Sequence, residues 1–125
     1  MADSKEKGLM LLSTTNVSFG ADATTELYVV PEGKRCVPFA VHIVVGADAV
    51  TTDVQVGAST ATNDFIAVTD LGLIDAQYDG AWLIPIPAAN VLLGKSYAAG
   101  TSIVMEVTNQ AGGATNAVNL FGFLY

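Results

Sequence analysis

One histidine, one cysteine and twelve acidic residues are the main reactive groups of this 125-residue chain. His42 and Cys36 fall in the same extended run, six residues apart. An extended strand rises about 3.3 Å per residue, so the two stand about 20 Å apart and form no dyad. Catalytic triads and zinc sites need more imidazole or thiolate than the chain contains. His42 therefore reads as structural, and Cys36 as a small buried hydrophobe. The string Ala89-Asn90-Val91-Leu92-Leu93-Gly94-Lys95-Ser96 mimics a phosphate-binding loop. It has Ala89 where the loop needs glycine, and no helix former follows Ser96, so the match is rejected. Asp70, Asp75 and Asp79 do not have the spacing of a calcium loop and read as a solvated acidic edge. Glycoside hydrolysis needs two carboxyl groups that meet in space, and no pair among the twelve acids stands out. Trp82 and the four tyrosines could build a sugar platform, but Pro85 and Pro87 beside the indole favour core or interface. No residue is assigned as catalytic, cofactor-binding or metal-ligating. The chain reads as not an enzyme and as needing no cofactor.

The distribution of charge says more. From Gly80 to Tyr125 only Lys95 and Glu106 are charged, whereas fifteen charged side chains lie in the first 79 residues. A small monomer must cover much of its surface, and charge is the usual cover. Charged residues are 14% of the chain, against roughly 25% in ordinary soluble domains. A folded monomer of this mass exposes about 6,300 Å². Seventeen charges leave ample charge-free area of interface size. Twelve Thr, six Ser and six Asn fill the gap; they stay soluble yet cost less to desolvate than ionised groups. An obligate oligomer is expected, with Trp82, Phe121, Phe123 and Tyr125 as candidate interface residues.

A net charge of −7 argues against nucleic-acid binding, which needs Lys and Arg to neutralise phosphates, and against anionic membrane surfaces. The single cysteine allows no intrachain disulfide. The polar start, MADSKEKG, and the short apolar run Leu9 to Leu12 do not make a secretory signal. The charge-free stretch from Gly80 to Gly94 is too short to span a bilayer. Synthesis and retention in the cytoplasm are expected. Residues 1–8 are expected to be a flexible segment, and 9–125 a single domain long enough for its own core.

No helical period lasts more than about two turns; short β-rich runs recur between Gly, Asn and Asp. Thr24 to Val30 is the first clear strand, followed by a Pro31-Glu32-Gly33-Lys34 turn. In Cys36 to Val45 the odd positions Val37, Phe39, Val41, Ile43 and Val45 are expected to face the core, and Cys36, Pro38, Ala40, His42 and Val44 a second surface. Pro38 should restrict pairing to one side near it. Thr52 to Gly57 is expected as a strand with Val54 and Val56 inward, Ala58 to Asn63 as a loop, and Phe65 to Thr69 as a short strand or turn. Leu71 to Asp79 is ambiguous. Asp79-Gly80 suits a hairpin turn, and Ala81 to Pro87 an edge segment. Ala88 to Leu93 suits a short helical turn. Ser102 to Thr108 is expected as a strand with Ile103, Met105 and Val107 on one face, and Gln110 to Thr115 as a Gly-rich loop. Asn116 to Tyr125 is a last strand apolar on both faces, as in a sandwich interior or a subunit contact. The pattern predicts an all-β chain: a jelly-roll-like β-sandwich of about eight antiparallel strands.

The segment Thr25-Glu26-Leu27-Tyr28-Val29-Val30-Pro31-Glu32-Gly33-Lys34-Arg35-Cys36 resembles the opening hairpin of small virion proteins of tailed bacteriophages, in which Val-Pro-x-Gly-Lys turns into a long apolar strand. Val54-Gln55-Val56-Gly57 with Asn63-Asp64-Phe65 is similar to the stretch that follows in those proteins. The matching pieces cover about a sixth of the chain. The resemblance implies a jelly-roll subunit, with a homotrimer favoured, attached to the outside of a capsid or carried in a tail or fibre; the first reading is the head decoration or cement type. Such a subunit is a structural protein bound to the major capsid protein on the capsid surface of the virion and made in the host cytoplasm. Ser4, Lys5 and Lys7 are then candidate partner-binding residues. The competing reading is a receptor- or carbohydrate-binding module of a phage fibre or tail, with Trp82 and tyrosines lining a groove.

Overall fold

The computed structural model describes residues 8–46, 52–71, 78–85, 95–108 and 115–125. Nine strands and no helix are found among them: β1 (Met10–Ser18), β2 (Ala23–Val29), β3 (Arg35–Val44), β4 (Asp53–Ala58), β5 (Ala61–Asp70), β6 (Gly80–Leu83), β7 (Tyr97–Ala98), β8 (Ser102–Thr108) and β9 (Thr115–Leu124). All pairings are antiparallel, and one set of them is nested. β4 pairs with β5, β3 with β6 and β7, β2 with β8, and β1 with β9. The chain is thus one long folded-back ribbon with its tip at Ser59-Thr60. Rolling that ribbon adds β3 to β9 and β4 to β8. The result is one sheet ordered β1-β9-β3-β6, with β7 also on β3, and a second ordered β2-β8-β4-β5. This is the jelly-roll sandwich expected from the sequence.

Alternation fills the space between the sheets. Ile103, Met105 and Val107 from β8, Val54 and Val56 from β4, and Val118 and Leu120 from β9 are all buried and belong to one core cluster. Val41, Ile43 and Val45 join them, as expected. Phe39 does not: it is 46% exposed. The register explains the reversal. Pro38 lies opposite Gly122 and Ala40 opposite Phe121, so Phe39 is an extra residue in a bulge. A bulge shifts the side-chain phase of its strand by one. Cys36 and Pro38 are therefore buried before it, and Val41, Ile43 and Val45 after it, while Val37 and Phe39 face outward. The other edge of β3 is paired with β7 at 35–36 and β6 at 41–44; among the described residues nothing pairs there at 37–40, as Pro38 suggested.

Other boundaries moved as well. Ala58 to Asn63 is a tight two-residue turn rather than a loop, and β5 runs for ten residues. Asp79-Gly80 is not a hairpin turn. Gly80 already pairs with Val44, and the Asp79 carbonyl accepts from the Val45 amide at 2.9 Å. The left-handed residue is Tyr78, at φ 70°. The Pro31 to Lys34 turn stands: the Lys34 amide donates to the Pro31 carbonyl at 3.2 Å, with Gly33 at φ 77°. The ambiguous segment falls mostly outside the described residues, as do the supposed helical turn and nearly all of the Gly-rich loop. β1 and β7 were not anticipated.

Candidate functional site

The two sheets differ sharply in charge. β1, β3, β6, β7 and β9 together contain one charged residue, Arg35 at the start of β3. β2, β4, β5 and β8 contain Glu26, Asp53, Asp64, Asp70 and Glu106, all acidic. The outer face of the first sheet is aromatic. Trp82, 62% exposed, lies with its ring centroid 4.4 Å from that of His42 and 5.5 Å from that of Phe121. Phe39, placed outward by its bulge, meets Phe123 edge-on at 6.4 Å. Leu11 of β1 stands opposite Phe121 and is also exposed. Ala40, opposite Phe121 on its other side, is 2% exposed yet lies outside the core cluster.

The candidate interface residues Trp82, Phe121 and Phe123 are thus brought together on one face. Tyr125 extends the same strand, with its ring exposed and its backbone paired to Arg35. Phe39 and Leu11 complete the patch and were missed, because the bulge and β1 were not read. Two of the four tyrosines do not join Trp82: Tyr97 is buried, and Tyr28 lies on β2 of the other sheet, packed against the core. Ser4, Lys5 and Lys7 lie outside the described residues, as does Asp75. No group of three or more metal-ligating side chains occurs among the described residues. No helix among them is long and apolar enough to cross a membrane.

Polar groups elsewhere serve the fold. One Asp64 carboxylate oxygen accepts from the Tyr97 hydroxyl, in a short bond, and from the Ala58 amide at 3.0 Å; the other lies 3.4 Å from Lys95 Nζ. Gly57 makes room for this, since a Cβ there would fall 2.4 Å from the same carboxylate oxygen. Lys95, the would-be phosphate lysine, is therefore tied to a carboxylate. Ser96 accepts from Arg35 at 3.0 Å. On the outside of the acidic sheet, Glu106 accepts from Gln55 at 2.9 Å and Thr62 at 2.7 Å.

Cys36 and His42 now face opposite sides of β3. Burial pushes the Cys36 thiol from its ordinary 9.0 up to about 11. Burial, then the hydrogen bond to Asp64, then that carboxylate's charge push the Tyr97 phenol far above its ordinary 10.0. Both groups hold their protons more tightly folded than unfolded. The stability they contribute is complete below the unfolded values and is lost as pH rises: for Cys36 between 9 and about 11, for Tyr97 from 10 upward. Each should remove about 1.4 kcal/mol per pH unit within its window. Urea unfolding in steps from neutral pH through this range should show that decline, and Cys36→Ala should flatten its first part. A constant midpoint would contradict the burial of both groups.

No family model matches the chain, and no curated protein matches it. Solved structures that contain chains of similar fold include two capsids. One is the acidic stable capsid structure of Helicobacter pylori bacteriophage KHP30, with a TM-score of 0.61 and 20% identity over 94% of this chain and 92% of that one. The other is the cyanophage Pam1 capsid asymmetric unit, with a TM-score of 0.55 and 12% identity over 98% of this chain and 90% of that one. At these identities what is shared is the fold, and both of these structures are phage capsids.

Proposed function

We propose that this chain is a structural virion protein, a capsid decoration or cement subunit. In this reading it binds the major capsid protein lattice as an oligomer, with a trimer favoured, on the outer surface of a phage head. The chain would be made in the host cytoplasm and carried on the particle. The observation that carries the reading is the uncharged aromatic face of the β1-β9-β3-β6 sheet. It sits on a jelly roll similar in fold to chains of two phage capsid structures. Aromatic enrichment and loss of charge mark the buried centre of protein interfaces. Repetition on a symmetric lattice turns modest single-site affinity into tight attachment. The reading assigns no catalytic residue and no cofactor. Ser4, Lys5 and Lys7 are assigned to partner contact.

Titration of the full chain onto undecorated capsids tests this. Binding should saturate and survive high salt, because contacts made by Thr, Asn and apolar groups present few charges to screen. Deleting residues 2–7 should weaken attachment without unfolding the domain. Attachment that vanishes at high salt would contradict the contact chemistry. Failure to bind capsids together with capture on a glycan array would move the assignment to a fibre or tail receptor-binding module.

A further inference from the structure

We infer that the outer face of the β1-β9-β3-β6 sheet is the seat of a second copy of this chain. The inference deepens the reading above and rests on it for assembly, not for attachment to capsids. The first argument is area. Trp82, Tyr125, Ile84, Leu11 and Phe39 are each about half exposed, and Phe121 and Phe123 are partly so. With ~150–250 Å² per aromatic side chain, these residues leave roughly 600–700 Å² of apolar surface, above the largest patch most monomers show and close to the ~800 Å² per partner of a stable interface.

The second argument is charge. Copies packed around a two-fold or a three-fold axis bring equivalent residues of one face towards each other. The acidic sheet cannot do this without setting carboxylates against carboxylates: Glu26 and Glu106 stand on its outer side, and its strands hold no basic residue. The aromatic sheet can, because its only charged residue is Arg35, at one end of β3.

The third argument is order. The Trp82 ring is already held by His42 and Phe121 on its own subunit. An exposed anchor fixed before contact loses little freedom on binding. The bordering edge agrees. β1 carries neither charge nor proline, the usual guards of an open edge. The other edge strands are guarded by Glu26 on β2, by Asp64 and Asp70 on β5, and by the four-residue length of β6.

The test uses the full chain free in solution and then with capsids. Light scattering and sedimentation at micromolar concentration should give a multiple of 12.9 kDa. Trp82, the single tryptophan, should resist acrylamide quenching there and become accessible on dilution. Trp82→Lys should weaken self-association roughly 30-fold or more, as expected for an interface anchor. Val68→Lys, on the exposed side of acidic-sheet strand β5, should leave association within about twofold, as for residues off the interface. A monomeric chain with a freely quenched Trp82 overturns the inference, and so does Trp82→Lys associating like wild type. If Trp82→Lys does not fold, quenching of the wild type decides alone. A chain that self-associates through this face yet ignores capsids supports the inference and removes the decoration reading. A chain monomeric until capsids shield Trp82 overturns the inference and keeps the decoration reading.

Discussion

Phe19→Ala is expected to cost about 3 to 5 kcal/mol of folding free energy, while Phe39→Ala is expected to cost about 1 kcal/mol or less. Phe19 follows β1 and is 1% exposed, within the cluster shared by both sheets. Removing its ring loses the transfer energy of a buried aromatic and leaves a cavity that packed strands fill only in part. Phe39 already stands at the surface, so its removal loses one edge-on contact with Phe123 and little burial. Chemical denaturation of both variants checks the contrast. Equal costs, or a larger cost at Phe39, would mean that the bulge after Pro38 is absent.

Asp64→Ala is the second large effect expected, about 2 to 4 kcal/mol. Three partners lose their acceptor at once: the Tyr97 hydroxyl, the Ala58 amide and the Lys95 ammonium. Tyr97 is buried, so its hydroxyl is left without an acceptor in a place water does not reach freely, and an unsatisfied buried donor is the costly case. Lys95 is exposed and contributes little, as surface pairs do. Tyr97→Phe should cost less, about 1 kcal/mol, because Asp64 keeps its other two partners. The double variant should be less destabilised than the sum of the singles. Strict additivity would show that the two side chains do not meet.

The strands most legible in the sequence were those with one face in the core. Ser102 to Thr108 alternates without interruption, and β8 has those bounds. β9 shows its two apolar faces in the sequence, with Val118 and Leu120 inward and Phe121 and Phe123 outward. β3 misled because a bulge leaves no mark in an apolar run: Val37 to Val45 alternates perfectly on paper, and only the pairing with β9 shows that one residue is extra. β1 was missed because, beyond Leu12, its outward positions are Thr14, Asn16 and Ser18, which read as loop.

The charge signal was legible in sequence but assigned to the wrong unit. Scarcity of charge after Gly80 belongs to a sheet rather than to half of the chain. β6, β7 and β9 lie in the uncharged sheet beside β1 and β3 from the first half, while β8 takes Glu106 into the acidic one. The aromatic face could be read only in part, since Phe39 meets Phe123, and Trp82 meets Phe121, only when the ribbon rolls.

The central claim is that this chain is a structural part of a phage particle. Its most direct test is quantitative mass spectrometry of phage particles purified from cells that encode the chain. The account predicts that the chain is present in fixed ratio to the major capsid protein, in many copies per particle, and that it stays with the heads after high-salt washing. Its absence from intact particles, or its presence only in the lysate around them, would contradict the account.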